Sequence, residues 1–208
     1  MSSALVGCDF HFARQPLSSL ILAEGTGLVG IVSALAGAST VTISDYPSPV
    51  ILKTLKHNVT QNVKNQHVSG VNVQGHDWGT FTDHLSQSEA ASFTRILSAD
   101  CIWMLEKQEH LLATFRHFLS DSPSARVWIV AGFHTGRQVV TAFFERAVSA
   151  GFEIEQRWER DVNGNERAWA DKRDAVEDDI EYRRQWLVIA SLKRPTVAPP
   201  DFSDSSKH

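Results

Sequence analysis

The chain has 208 residues, 42% of them hydrophobic, and a formal charge of −4. That length and composition allow one substantial core in one domain, and the slightly acidic balance supplies no general attraction to nucleic acid. Its two cysteines, Cys8 and Cys101, lie far apart with no CxxC or Cys/His spacing, which argues against a disulfide framework or a structural zinc site and for reduced, cytoplasmic surroundings, with the nucleus as the alternative.

Residues 1–19 read as a leader without the basic start and apolar core of a secretion signal, and no apolar run reaches the length of a membrane span. Leu17 to Leu22 is a predicted first strand. It runs into Leu20-Ile-Leu-Ala-Glu-Gly-Thr-Gly-Leu-Val-Gly30, where closely spaced glycines precede a helix over Leu28 to Gly37. Such a turn leaves the first backbone N–H groups of the helix without intrahelical partners, and glycine lets a ligand approach that backbone. Twenty residues after Gly25, the strand Thr40-Val-Thr-Ile-Ser ends in Asp45, where doubly wound α/β proteins place a carboxylate for ribose hydroxyls. Together they predict a nucleoside-binding site.

Pro49 opens a helix in which Ile51, Leu52, Leu55, Val59 and Val63 recur every three or four residues, the pattern of an amphipathic helix packed on a sheet. A short strand over Val68 to Val73 leads to Gly75-His-Asp-Trp-Gly79, and Trp78 there either packs into the core or flanks an adenine ring. Thr80 to Ser92 reads as a partly helical surface connection, and Phe93 to Ala99 as the fourth strand. At its end, Asp100-Cys-Ile-Trp103 has two readings. Asp100 either caps the helix that begins near Leu105, or joins Trp103 in holding an amine-bearing acceptor.

That helix buries Leu111, Leu112, Phe115, Phe118 and Leu119, and Arg126 to Gly132 reads as a central strand buried on both faces. A helix over Arg137 to Ala150 follows, then strands over Phe152 to Trp158 and Tyr182 to Leu192. The charged stretch between those two strands shows no crossover helix, so they are expected to pair antiparallel; residues 195–208 read as a disordered tail.

Alternating strand and helix units closed by an antiparallel C-terminal pair are the layout of the Rossmann-like, seven-stranded S-adenosylmethionine-dependent methyltransferases, an α/β fold with a mostly parallel sheet. The segments SDYPSP (44–49), LKHNV (55–59), GHDWG (75–79), ILSADCIWM (96–104), VAGFHTGR (130–137) and ERDVNGNERAW (159–169), followed by RRQWLVIASLKR (183–194), occur in order. They resemble the fungal branch of the lysine-methyltransferase-like family, which includes nicotinamide N-methyltransferase-like and elongation-factor N-terminal and lysine methyltransferase-like proteins. The resemblance covers about residues 20–194 and implies one methyltransferase domain there.

It also implies S-adenosyl-L-methionine as cofactor. Ala23, Glu24, Gly25 and Gly27 would cradle its methionine moiety, Asp45 would receive the ribose hydroxyls with Tyr46 alongside, Trp78 would lie against the adenine, and Ala99 would border the cofactor. Asp100 and Trp103 match the family's acid-x-x-aromatic element, which positions the acceptor nitrogen. The implied activity is methyl transfer to a protein lysine or amino terminus, or to a small amine such as nicotinamide; no metal, nucleic acid or membrane partner is expected.

Two departures keep a second reading open. The family's first motif resembles LELGAGTGL, whereas LILAEGTGL stands here: Ile21 replaces an acid, and Ala23 and Glu24 replace glycine and alanine. The family's upstream helix with a tryptophan has no counterpart before Leu20, as a shortened N-terminus would leave it. The alternative is a catalytically impaired, methyltransferase-like binding or partner subunit. Restoring the three motif residues is expected to tighten cofactor binding about tenfold if they are a defect.

Overall fold

The structure, a computed structural model, describes residues 18–22, 25–63, 70–174 and 179–195. Nearly all of the leader and all of the tail beyond Pro195 lie outside those residues, as do Ala23 and Glu24.

Fifteen elements follow in the order β1 (Ser18–Leu22), α1 (Leu28–Leu35), β2 (Thr40–Asp45), α2 (Pro49–Asn62), β3 (Val71–Gly75), α3 (His84–Ser88), β4 (Arg95–Ala99), a 3-10 turn (Leu105–Lys107), α4 (Gln108–Phe118), β5 (Arg126–Gly132), α5 (Arg137–Ser149), β6 (Glu153–Asp161), β7 (Glu166–Ala168), α6 (Ile180–Arg183) and β8 (Trp186–Lys193). All eight strands form one sheet, ordered β3-β2-β1-β4-β5-β8-β6-β7. The first five pair in parallel, and β8 runs antiparallel to both β5 and β6. The expected C-terminal pair is therefore present. The strand beyond the expected seven, β7, is a three-residue return of the β6 hairpin, whose turn is built on Asp161: its Oδ1 accepts the N–H groups of Asn163 and Asn165.

Alternation along β1 divides the interior. Leu20 and Leu22 face a core that includes Leu111, Phe115 and Phe118 of α4 and Phe143 and Phe144 of α5. Ile21 faces the other way, into a smaller core with Ala34 of α1, Ile43 of β2 and Leu55 of α2. The result is a three-layer sandwich with helices on both faces of the sheet. Helix α1 lies directly on β2, because a Cβ at Gly30 would come within 2.4 Å of Ile43 Cγ1.

Element positions differ from the sequence expectation in a few places. Strand β3 starts at Val71 and runs to Gly75, three residues later than expected. Asp100 caps no helix: the 3-10 turn starts from Met104 and α4 from Lys107. Strand β5 alternates buried and half-buried residues, with Trp128 and Val130 half-buried, so it is not fully enclosed on both faces.

Candidate active site

Strand order reverses between β1 and β4, each of which is followed by a loop at the same end of the sheet. In open α/β sheets the crevice outside the carboxyl ends of such strands is where ligands bind. Gly25 and Gly27 follow β1, Asp45 ends β2, Trp78 follows β3, Ala99 and Asp100 end β4, and His134 follows β5. The topology thus gathers the sequence-predicted residues along one rim.

The glycine turn and the carboxylate are joined directly. Asp45 Oδ2 accepts the Gly25 N–H at 2.7 Å and Oδ1 accepts the Tyr46 N–H at 2.7 Å. Each oxygen has further lone-pair capacity. Gly25 has φ +72°, in the left-handed region, and a Cβ there would meet no atom within 4 Å, so its backbone borders open space. Gly27, also left-handed, instead presses on Leu55, and its carbonyl accepts the Ile31 N–H as α1 begins. A partly accessible carboxylate beside a glycine turn that opens onto space fits the nucleoside and amino-acid parts of S-adenosylmethionine. Tyr46 is 58% exposed and meets Asp45 through its backbone.

Trp78 is half-buried and packs against the larger core, so it combines a core contact with a partly accessible face. Its loop is anchored from beneath by residues that sequence reasoning did not single out. The His76 N–H donates to the Asp45 carbonyl, which ties the loop to β2. The buried His76 ring holds Nδ1 2.8 Å from Asp83 Oδ2 and Nε2 3.3 Å from the Thr114 hydroxyl, and Thr114 Oγ1 accepts the Gly79 N–H at 2.9 Å. Histidine, acid and threonine lie seven and 38 residues apart, a separation that shows no local pattern.

Asp83 also caps α3 by accepting the Ser86 N–H. Burial pushes its pKa up, but the Ser86 N–H and the His76 bond and charge outweigh burial and hold it below the ordinary carboxyl value. With the folded pKa lowered, this group's stabilisation is complete above the unfolded value and is lost as pH falls through the folded one. Asp83→Asn, which can still cap, is therefore expected to flatten the fall in melting temperature below about pH 4. An unchanged acid slope in thermal melts would refute that contribution.

At the end of β4, the Cys101 thiol lies 3.4 Å from the Leu22 carbonyl, linking this corner to the start of the glycine turn. Ala99 is half-buried, and its carbonyl lies 3.3 Å from the same sulfur. Asp100 has left-handed backbone, φ 58°, and its side chain accepts the Gly132 N–H and pairs with His134. Trp103, 38% exposed, offers an accessible ring on the same loop. Beyond β5, Phe133 stacks on Trp169, and Arg137 lies over both rings. Among the described residues no cluster of three or more metal-ligating side chains occurs, and no helix is long and apolar enough to cross a membrane.

This sheet, with its glycine turn and acidic strand ends, is the Rossmann-like fold of S-adenosylmethionine-dependent methyltransferases. A solved methyltransferase of that type from Mesorhizobium loti matches with a TM-score of 0.57 at 14% identity, over 86% of this chain and 91% of its own. A family model for lysine methyltransferases matches residues 8–150, and the chain belongs to that family. It is 29% identical over 143 residues to the protein N-terminal and lysine N-methyltransferase efm7 of Schizosaccharomyces pombe, covering 66% of this chain and 55% of that protein. It is 39% identical over 123 residues to the protein N-lysine methyltransferase METTL21A of Xenopus tropicalis, covering 57% of this chain and 54% of that protein. The chain spans about half the length of the curated relatives it matches.

Proposed function

We propose that this chain is an S-adenosylmethionine-dependent N-methyltransferase whose acceptor is a protein amine, a lysine side chain or an amino terminus. The observation that carries the reading is the placement of Asp45 and Asp100 on either side of the glycine turn, at the carboxyl ends of β2 and β4. Family membership and the names of both relatives support it. The unit responsible is residues 20–194, and a cytoplasmic site of action accords with Cys101 being a buried free thiol.

The cofactor supplies a methyl group on a sulfonium, so the acceptor nitrogen's lone pair forms an N–C bond as the C–S bond breaks, its electrons go to sulfur, and the nitrogen sheds a proton to water. Little acid–base power is needed; alignment supplies most of the rate. Asp45 and the Gly25 backbone would hold the ribose and methionine ends. Asp100 would accept an acceptor N–H, and the exposed ring of Trp103 would pack on the cation formed.

Incubation with methyl-tritiated S-adenosylmethionine and a desalted extract of soluble protein tests the reading. Label in protein amines is the expected result. Label confined to small molecules would overturn the acceptor class, and intact cofactor binding without transfer would favour the impaired binding subunit. Asp45→Ala is expected to weaken cofactor binding by about 1.5–3 kcal/mol, the range for charge-assisted hydrogen bonds. Calorimetry on a folded variant measures it, and unchanged affinity would remove the ribose assignment.

A further inference from the structure

Asp100 and His134 stand beyond the ends of neighbouring parallel strands, and the backbone between them is unusually determined. The Asp100 N–H donates to the Val130 carbonyl at 2.8 Å, so pairing between β4 and β5 continues one residue past the strand while the Asp100 backbone turns left-handed. Aspartate tolerates that conformation better than most residues, but it persists only where surrounding bonds require it. Here two donors converge on one oxygen: Asp100 Oδ1 accepts the Gly132 N–H at 3.1 Å and His134 Nε2–H at 3.0 Å. The imidazole packs against Gly132, where a Cβ would sit 2.6 Å from its Cε1, so position 132 admits the ring because it is glycine.

With Oδ1 held from two sides, the carboxylate plane is set. Oδ2 has no hydrogen-bond partner among the described residues, and the Asp100 side chain is about one-third accessible. We infer that His134 is a positioning residue for the methyl acceptor: with the Gly132 N–H it clamps Asp100 Oδ1 so that Oδ2 receives an N–H of the incoming amine. This rests on the methyltransferase reading and deepens it. His134 acts through Asp100, and the substrate class it serves is a primary amine or ammonium group.

The arrangement has an electrostatic corollary. The Nε2 contact takes up one oxygen of Asp100 and leaves the other to face a cationic amine. Asp100 is the ionisable group paired with His134 among the described residues. The neighbouring cation on α5, Arg137, is turned into Glu159 of β6 at 2.6 Å, and Arg167 of β7 and Arg173 also converge on that carboxylate.

Two variants test the clamp: His134→Gln keeps an N–H donor, and His134→Ala removes it. Rates of methyl transfer from tritiated S-adenosylmethionine to the desalted protein extract are compared at pH 8, with a dilution series of the extract to give relative KM and kcat. For His134→Ala the relative KM is expected to rise about ten- to a hundredfold, the scale of a misplaced positioning group. For His134→Gln, which can still donate to Asp100 Oδ1, KM and kcat are expected to stay within about threefold of wild type. S-Adenosylmethionine affinity, read by calorimetry, is expected to hold within about twofold in both.

If the wild type transfers methyl groups and His134→Ala keeps its KM, or His134→Gln loses as much as His134→Ala, the inference is overturned while the methyltransferase reading stands. Loss of cofactor affinity in both variants equally overturns it, since His134 would then serve the cofactor or the fold. A wild-type protein that binds cofactor but transfers nothing overturns both.

Discussion

Replacing Glu159 by alanine is expected to destabilise the protein by about 3–5 kcal/mol, the range for breaking a buried charge cluster by removing one partner. The Glu159 side chain is fully buried and receives Arg137 at 2.6 and 3.1 Å, Arg167 Nε at 2.9 Å and Arg173 at 3.4 Å. Burial alone would raise its pKa, but the hydrogen bonds and charges of Arg137 and Arg167 outweigh it, and the carboxyl is held below its ordinary value. Its contribution is therefore complete above about pH 4.5 and is lost as pH falls through the lowered value. Deleting the carboxylate leaves clustered guanidiniums around the void, one of them only 2% exposed. Glu159→Gln retains an acceptor and is expected to lose less. Urea melts at pH 7 measure both, and a loss below about 1 kcal/mol for the alanine variant would show that the arginines find water or other partners.

Ile21→Glu, the substitution that restores the family's acid, is expected to destabilise by about 3 kcal/mol or more at pH 7. Ile21 is fully buried among Ala34, Ile43 and Leu55, pairs with Ile43 and Leu97 on the adjacent strands, and lies 3.4 Å from where a Gly30 Cβ would be. An ionised carboxyl there meets only apolar neighbours, so it stays protonated with a raised pKa, and isoleucine packing is lost as well. The sign of the linkage follows: the deficit is smaller at pH 4 than at pH 7, because the unfolded carboxyl ionises as pH rises. Thermal melts at the two values measure it. A variant as stable as the parent would mean that the acid reaches solvent or a cation. The expected gain in cofactor affinity from restoring the motif thus rests with Ala23 and Glu24, which lie outside the described residues, and not with position 21.

Local periodicity made most of the fold legible. Strand β2 spans Thr40 to Asp45 as its apolar alternation implied, and α5 buries Val140, Phe143, Phe144 and Ala147 at helical spacing. The site was legible where chain-local signals carried it: the spacing from Gly25 to Asp45 is a contact of 2.7 Å in three dimensions. Long-range pairings left no such trace. Asp100 also read as a helix cap, because an acid a few residues before a helix has the same local pattern, and its partner His134 lies 34 residues away. Likewise Glu159 stands at the edge of a charged stretch with no motif of its own, and only the convergence of Arg137, Arg167 and Arg173 makes it a buried hub.

The place of β8 bears on how the protein is made. It is the last of the described strands in sequence, yet it lies between β5 and β6, donating one edge to each. During synthesis the first five strands can close their parallel sheet with its flanking helices, whereas the emerging β6–β7 hairpin has no sheet to join until residues 186–193 leave the ribosome. At about 5–20 residues per second the roughly thirty residues between the end of β6 and the end of β8 take about 2 to 6 s. For that interval Glu159 lacks the β8 backbone at Val188 against which it is paired, and Arg167 lacks the Trp186 ring beneath it, 3.7 Å away in the finished protein. The exposed outer edge of β5 is then a nascent-chain hazard of the kind that chaperones cover, and the rim that bears His134 is completed only when the final strand threads into place.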